Sequence, residues 1–264
     1  MLSYEALLEQ AKLNNMPVNK MRGILREYIQ TVMLKELYSS KWADRFYFLG
    51  GTALRLAYGF KRFSEDLDFN IAGLDKREFE EVSEFIREEL KRQNINSEVR
   101  FEHRGKLSST AFVFKDILEH YRIMDKRGTL MVKFEANRPV FKLETESATI
   151  SSFAEIFPAR MMSKSSIFAE KICALKNIKK GRHIYDIIVM LSKKFPVDRN
   201  ILVANGIKEE PKDAIMGIIS KFTHSELERL ASGLRPFLFN EEESGLVVNA
   251  KTVVKDLLNK HPAY

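Results

Sequence analysis

Apolar and polar positions follow two different periods in the first part of the chain, and the periods distinguish helices from strands. Apolar side chains recur at helical spacing in residues 21–38 and 76–92, with polar side chains between them. Strict alternation marks LDFNI, residues 67–71, so its three apolar side chains share one face and Asp68 and Asn70 share the other. The pattern therefore predicts two amphipathic helices and one half-buried strand.

Further strands are indicated by short apolar or alternating runs at 45–49, 97–103, 109–115 and 129–136. After about residue 146 the strand signals stop, and helical patterns continue to the end, with Thr223 and Glu226 spaced as a capping box. We therefore predict an α+β fold. A mixed sheet with flanking helices occupies residues 1–145, and a helical C-terminal domain occupies residues 146–264.

Composition favours an ordered protein, because 45% of the 264 residues are apolar. The single cysteine, Cys173, excludes an internal disulfide and a four-cysteine zinc site, and it fits a reducing compartment. The N-terminal stretch lacks the basic and apolar regions of a signal peptide, and no apolar run approaches a membrane span of about 18 residues. The expectation is a soluble cytoplasmic protein without a membrane partner.

Positive charge is concentrated in residues 171–194. The whole chain carries a net charge of +7. The segment holds seven basic residues and one acid, a net charge of +6, and the basic residues are Lys171, Lys176, Lys179, Lys180, Arg182, Lys193 and Lys194. Such a field favours a polyanionic partner. Charge alone leaves the alternative open, namely a solvated helix face followed by a basic turn.

Two aspartates flank Leu67 in the predicted strand. Side chains alternate along a strand, so Asp66 and Asp68 point to the same side, about 6.6–6.8 Å apart along it. Two carboxylates at this separation suit one or two hard cations, and Mg²⁺ is usually held by one or two carboxylates, substrate phosphates and water. The alternative is a surface strand with two solvated acids, but aspartate is disfavoured in strands.

A glycine turn precedes the predicted helix at residues 52–60. Gly50 and Gly51 let the backbone approach a ligand closely, and Thr52 is placed to cap the helix. Helix N-termini bind phosphate through their free N–H groups and the helix dipole. An ordinary strand-to-helix turn is the alternative. The turn is neither a P-loop nor a dinucleotide-binding fingerprint, because both signature spacings are absent.

A third acid lies in the strand LMVKFEA, where Lys133 and Glu135 share the face opposite the apolar residues. If this strand lies beside the one carrying Asp68, Glu135 would reach the metal or the attacking hydroxyl. An ordinary half-exposed strand explains the pattern equally well.

The motif GGTAL followed by RFSEDLDF resembles the glycine and metal motifs of the polymerase-β-type nucleotidyltransferase superfamily. The whole chain more closely resembles the AbiEii/AbiGii toxin family within it. A second block, AEKICALKNIKKGRHIYDI, is similar to that family's later motifs, with Lys171 in A-E-K-x-x-A-L and Asp186 in R-x-x-Y-D. One departure is His183, where family members often have aspartate.

The resemblance implies a nucleotidyltransferase fold that binds a nucleoside triphosphate and Mg²⁺. Some members add nucleotides to the 3′ end of transfer RNA, and members are typically encoded with an antitoxin. Asp66 and Asp68 would then hold the metal, as their shared face already suggests. The expected acceptor is RNA, in particular tRNA, and a cognate antitoxin is the expected protein partner.

The remaining site residues have expected roles under the same resemblance. The triphosphate would lie on Gly50, Gly51 and Thr52, and Lys171 would offset its charge. Asp186 would orient Lys171 or assist the acceptor hydroxyl, although a salt bridge between two helices also explains this pair. Arg62 is a further candidate for a phosphate contact, but a solvated arginine is the preferred interpretation. His183 is expected to contact tRNA or to lie at the surface.

Two rival functions remain open at this level. One is an enzyme of the same fold that modifies a small molecule or a protein, and the +6 segment argues mildly against a small neutral acceptor. The other is a nucleotide- or RNA-binding module that has lost catalysis, and the presence of Asp66, Asp68, Lys171 and Asp186 argues against that.

Overall fold

The computed structural model describes residues 1–123 and 128–260, and the chain divides into two compact units. The first unit is built from residues 1–139 and 145–161, and the second from residues 140–144 and the chain from residue 162 onward. That residues 1–145 and 146–264 behave as separate domains stays a prediction.

The strands of the described residues belong to the first unit, except that β7 ends one residue beyond it, and the N-terminal helices lie in the same unit. Its helices are α1 (Tyr4–Leu13), α2 (Met21–Tyr38), α3 (Gly50–Tyr58), α4 (Lys76–Arg92) and the short α5 (Ile117–His120), with a 3₁₀ turn at Ala43–Arg45. Its strands are β1 (Phe46–Leu49), β2 (Asp66–Ile71), β3 (Glu98–Arg104), β4 (Leu107–Phe114), β5 (Leu130–Asn137), β6 (Thr145–Ser152) and β7 (Glu155–Met162). The helices predicted at 21–38 and 76–92 and the strands predicted before residue 146 are confirmed.

A single seven-stranded sheet organises this unit, in the order β3-β4-β5-β2-β1-β7-β6. The sheet is mixed, because β2 pairs in parallel with β5 and antiparallel with β1. The predicted mixed-sheet core with flanking helices is therefore confirmed.

An aromatic cluster holds the central strands together from one face of the sheet. Phe134 on β5 lies at its centre, with ring centroids 4.9 Å from Phe69, 5.5 Å from Phe79 and 5.6 Å from Phe46. All four rings are buried. Since side chains alternate along a strand, the neighbours of Phe69 and Phe134 on β2 and β5 point to the opposite face. The core therefore determines which residues are presented on the other side of the sheet.

Helix α4 illustrates how the sequence specifies a boundary. Asp75 caps it, and Glu78 returns a bond to the Asp75 backbone, which completes a capping box. Phe79, Val82 and Ile86 form a fully buried stripe at helical spacing. The cap determines where the helix begins, and the stripe determines which face packs on the sheet.

The expectation that strands stop near residue 146 is wrong. Strands β6 and β7 follow that point and extend the sheet beyond β1. A two-residue turn joins them, formed by Phe153 and Ala154 with φ of 50° and 64°. Turns of this type normally carry asparagine, aspartate or glycine, so the hairpin has no recognisable turn signal.

The second unit is helical, as predicted for the C-terminal part. Its helices are α6 (Lys164–Asn177), α7 (Gly181–Ser192), α8 (Arg199–Ala204), α9 (Pro211–Ser220), α10 (His224–Leu234), α11 (Gly245–Val248) and α12 (Ala250–Asn259). The predicted capping box of Thr223 and Glu226 begins α10. Gly181 begins α7 so close to α10 that a Cβ on it would overlap the carbonyl group of Leu230.

Candidate active site

The two aspartates on β2 lie on the face of the sheet away from the aromatic cluster. Asp66 and Asp68 are half-buried, whereas the residues that follow each of them, Leu67 and Phe69, are buried at 0% and 2% exposure. This pattern matches the predicted alternation. The structure thus keeps two carboxylates on one face of a central strand, within reach of solvent.

Glu135 lies beside them on the neighbouring strand. The parallel register of β2 and β5 places Asp68 opposite Glu135 and Asp66 opposite Lys133. The Oγ of Ser109 on β4 donates to Oε1 of Glu135 at 3.1 Å, and Nζ of Lys133 lies 3.8 Å from the same oxygen. The strand that carries Glu135 therefore lies beside the strand that carries Asp68, which is the condition stated for Glu135 to reach the metal or the hydroxyl. Within residues 1–123 and 128–260, however, no three His, Cys, Asp or Glu side chains are grouped closely enough to hold a metal on their own.

The glycine turn lies directly against these acids. Gly50 is the first residue of α3 and has a φ of +81°, which side-chain-bearing residues rarely adopt. A Cβ on Gly50 would overlap Oδ2 of Asp68 and lie 2.8 Å from its Cγ. A Cβ on Gly51 would lie 2.5 Å from Oγ of Ser64. Both positions thus require glycine, because the start of α3 packs closely against Asp68 and Ser64.

Thr52 does not cap α3, contrary to expectation. Leu49 is the N-cap residue and makes no side-chain cap, so Thr52 is the third residue of the helix. Thr52 is 1% exposed, and its hydroxyl donates to the carbonyl oxygen of Asp66 at 2.5 Å. Thr52 therefore connects the glycine-first helix to the strand that carries the acids.

Arg62 is buried at 1% exposure, so the preferred interpretation as a solvated arginine is wrong. Its Nη1 donates to the carbonyl oxygen of Phe63 at 2.9 Å. Its Nη2 would lie 2.6 Å from a Cβ on Gly51. The guanidinium is thus packed against the start of α3, where it adds a fixed positive charge to the positive end of the helix dipole.

One face of α2 contacts residues 63–65, the segment that precedes Asp66. The sequence analysis did not identify this face. We call this face the polar stripe: Gly23, Arg26, Glu27 and Gln30, at positions i, i+3, i+4 and i+7. Arg26 Nη1 lies 3.3 Å from Oε1 of Glu65, and Gln30 Nε2 donates to the Ser64 carbonyl at 3.3 Å. A Cβ on Gly23 would lie 2.7 Å from the Phe63 ring. Polar residues at helical spacing in an otherwise buried helix were the available signal.

Glu27 forms a buried ion pair at the centre of the polar stripe. Arg55 Nε on α3 donates to Oε2 of Glu27 at 3.1 Å, with the two side chains 9% and 2% exposed. The other oxygen, Oε1, has no hydrogen-bond partner in the described part of the chain. Burial raises the pKa of Glu27, and the Arg55 charge and hydrogen bond oppose this rise. Helices α2 and α3 are therefore joined by an ion pair in which burial disfavours the charged form of Glu27 and Arg55 favours it.

In the second unit, Lys171 on α6 and Asp186 on α7 form a buried salt bridge. Lys171 Nζ lies 3.1 Å from Oδ2 of Asp186, and their side chains are 10% and 0% exposed. The predicted pairing between two helices is therefore present. Such a pair fixes the direction of the ammonium group, and this geometry is compatible with either of the roles considered for Asp186.

The basic segment is only partly available to a ligand. Lys176 and Lys180 are exposed, and the former donates to the Gly206 carbonyl at 3.1 Å. Lys179 is paired with Glu226 at 3.1 Å, so part of its charge is offset. His183 is half-buried. Burial raises the pKa of the Cys173 thiol to about 11, so this cysteine stays protonated at neutral pH and is a poor nucleophile.

The fold and the arrangement of acids beside a glycine-first helix define the class of protein, a nucleotidyltransferase. The chain belongs to the AbiEii family, described as nucleotidyl transferase AbiEii toxin of a type IV toxin–antitoxin system, whose model matches residues 32–236. The toxin–antitoxin assignment implies a nucleoside triphosphate substrate and an antitoxin partner. No curated protein matches the chain.

Solved structures share this fold at low sequence identity. The nucleotidyltransferase toxin MenT4 from Mycobacterium tuberculosis H37Rv is 15% identical with a TM-score of 0.60, over 97% of this chain and 90% of that one. A putative nucleotidyltransferase from H. pylori is 16% identical with a TM-score of 0.54, over 90% and 97%. JHP933 from Helicobacter pylori is 17% identical with a TM-score of 0.51, over 90% and 94%. Among the residues described, no helix has the length and apolarity needed to cross a membrane.

Proposed function

We propose that this toxin transfers a nucleotide from a nucleoside triphosphate to an RNA acceptor, the 3′ end of tRNA, in a Mg²⁺-dependent reaction. The observation that carries the proposal is the contact between Gly50 and the Asp68 carboxylate. It brings a helix start suited to phosphate and an acid suited to a metal into one small region. The proposed substrates are cytoplasmic, so the activity is assigned to that compartment.

The chain's own residues fit a magnesium ion. Asp66 and Asp68 are half-buried on one face, and the helix start approaches the Asp68 carboxylate so closely that a Cβ on residue 50 would overlap it. These two carboxylates would hold the metal, with Glu135 nearby to bind it or to accept a proton from the acceptor hydroxyl. Bound Mg²⁺ would supply charge neutralisation of the phosphates during transfer.

The start of α3 is the proposed site for the triphosphate. Gly50 and Gly51 place their backbone N–H groups in the first turn of α3, at the positive end of the helix dipole. Thr52 holds the helix start to β2, and the buried Arg62 adds positive charge beside Gly51. Lys171 would offset further phosphate charge, with Asp186 fixing its direction or acting on the hydroxyl.

An RNA acceptor is favoured over a small molecule by the exposed part of the basic segment. Lys180, Lys193 and Lys194 are all exposed, and residues 171–194 carry a net charge of +6. Phosphate contacts from lysine supply affinity without reading sequence. This surface would supply phosphate contacts to the RNA acceptor.

The proposal is tested by incubating the purified full chain with each of four labelled triphosphates, total tRNA and Mg²⁺. The expected result is labelled tRNA with one or more triphosphates, lost in Asp66→Asn and in Asp68→Asn. Asp256→Asn is the matched control, because this aspartate is exposed on α12. Label on a small molecule or protein instead of RNA would support the rival enzyme. Full activity in both site variants would refute the assignment of the acids.

A further inference from the structure

Strand β3 forms one edge of the seven-stranded sheet. Its inner side pairs with β4 along its whole length, from Glu98 opposite Val113 to Arg104 opposite Leu107. On its outer side, no strand from the described ranges pairs with it. A seven-residue edge with unpaired backbone groups is a template for another strand unless its side chains prevent this.

The side chains of β3 form a charge palindrome. Read from either end, EVRFEHR places an acid opposite a base about its central residue, Phe101. Glu98 corresponds to Arg104, and Arg100 corresponds to Glu102. These four side chains are between 51% and 76% exposed, and they share one face of the sheet because their numbers differ by two.

We propose that β3 is the homodimer interface of this protein, pairing antiparallel with β3 of a second copy about a two-fold axis at Phe101. This register places Arg100 opposite the partner's Glu102 and Glu98 opposite the partner's Arg104, each twice by symmetry. Opposite charges at directly facing positions of an antiparallel pair are favourable. The two sheets would then form one continuous sheet, with an isologous contact that closes at two copies.

The other face of β3 adds an apolar contact to the charged one. Phe101 is 37% exposed and lies on the face opposite the four charged side chains. The two-fold axis would bring it against the partner's Phe101, and aromatic pairs across strands are stabilising. An exposed phenylalanine between complementary charges attracts a second copy instead of repelling it.

The interface is separate from the candidate active site. Two strands, β4 and β5, lie between β3 and the strand that carries Asp66 and Asp68. Pairing at the outer edge of β3 therefore leaves the acids and the glycine turn unchanged. Dimerisation does not depend on the proposed function, and each copy retains its own site.

The test is sedimentation of the full chain over a wide concentration series at low and at moderate salt. We expect a concentration-dependent dimer. Arg100→Glu places like charges opposite each other in two symmetry-related pairs, so the dissociation constant should rise about tenfold or more. The double variant Arg100→Glu/Glu102→Arg restores complementarity and should recover the dimer. Circular dichroism and thermal melting would verify that each variant folds.

Arg77→Glu is the matched control, because it makes the same change in net charge at a side chain of α4 that is 88% exposed. It should leave the dissociation constant within about twofold. The proposal is overturned if the wild-type chain stays monomeric up to about 1 mM, a range that covers weak association. It is also overturned if Arg100→Glu leaves the dimer unchanged, or if the double variant fails to recover it while folding normally.

Discussion

Gly50 begins its helix at the one place where any larger residue would occupy the position of the Asp68 carboxylate. The helix start and the second acid therefore lie in direct proximity, with no room between them for a side chain on residue 50. Thr52 extends this connection, because its hydroxyl binds the Asp66 carbonyl at 2.5 Å. A phosphate group bound at the helix start would thus be held close to the proposed metal.

The first prediction concerns Gly50→Ala. The new Cβ would overlap Asp68 and would require a residue other than glycine at a φ of +81°. We expect nucleotidyl transfer to fall by about 100-fold or more, the cost of displacing a reacting group by about 1 Å. The measurement is the rate of label incorporation, with the melting temperature followed in parallel.

Gly59→Ala is the control for this prediction. Gly59 ends α3 with a φ of +69°, but nothing lies within 4 Å of its added Cβ. The substitution should therefore cost about 1–2 kcal/mol of stability from the backbone alone and leave the rate unchanged. Equal loss of activity in both variants would mean that backbone strain, and not the contact with Asp68, governs the effect.

A second prediction separates structure from catalysis at the buried pair of Lys171 and Asp186. Lys171→Ala removes the ammonium group that lies 3.1 Å from the fully buried Asp186 carboxylate, which should lower the free energy of unfolding by about 3–5 kcal/mol. Lys171→Met combined with Asp186→Asn removes both charges and should recover most of this stability. The measurements are chemical denaturation and label incorporation.

The combined variant decides the role of the pair. If Lys171 serves the triphosphate, the combined variant should be stable and inactive. Recovery of transfer together with stability would show that the salt bridge is structural only.

The third prediction uses the raised pKa of Glu27. Because the folded protein binds this proton more tightly than the unfolded chain does, its contribution to stability is full below the ordinary pKa of 4.5. That contribution is lost as pH rises through the raised pKa. Glutamine at position 27 cannot ionise, so the Glu27→Gln variant does not lose this contribution. The free energy of unfolding of the variant minus that of the wild type should therefore increase as pH rises above 4.5, by at most ~1.4 kcal/mol per pH unit.

Denaturation of both proteins across this pH range measures the difference directly. The charge and hydrogen bond of Arg55 are already included in the pKa of Glu27, because both oppose its rise. Glu9→Gln, at an exposed side chain of α1, is the matched control for the glutamate-to-glutamine change itself. A Glu27→Gln difference that is flat or falls with pH would refute the prediction.

The fourth prediction concerns RNA binding by the basic segment. Affinity measured over a salt series should fall with a log–log slope of about −0.7 to −0.9 for each phosphate contact. Lys180→Ala combined with Lys193→Ala should make the slope shallower by about 1.4 to 1.8 if both contact phosphate. Lys179→Ala should change it less than a full contact does, because Glu226 lies 3.1 Å from its ammonium group. An unchanged slope in the double variant would identify the segment as a solvated face.

Periodicity predicted the part of the fold in which each strand or helix has one apolar face. The alternation of Leu67, Phe69 and Ile71 was sufficient for β2, and the buried stripe from Phe79 was sufficient for α4. The hairpin of β6 and β7 was missed for a local reason. Its turn is made by Phe153 and Ala154, and Pro158 lies within β7, where proline argues against a strand.

Residues of the candidate site were found where motif and spacing fixed them, but their surroundings were not. An arginine in a polar loop is expected in solvent, whereas Arg62 is buried and packs against the start of α3 beside Gly51. The polar stripe on α2 was missed because its partners, such as Ser64, are distant in sequence. Contacts between residues distant in sequence determine the burial of these side chains, and such contacts cannot be predicted from a single sequence.

The position of β7 has a consequence for synthesis of the protein on the ribosome. Strand β1 is central in the finished sheet, yet its partner on one side is β7, which is translated more than a hundred residues later. A nascent or stalled chain that ends before residue 155 would present the apolar edge FYFL without its cover. Such exposed edges recruit other strands during folding. We therefore expect prematurely terminated copies of this toxin to aggregate or to require chaperones. A copy would then become active only after the sheet is complete.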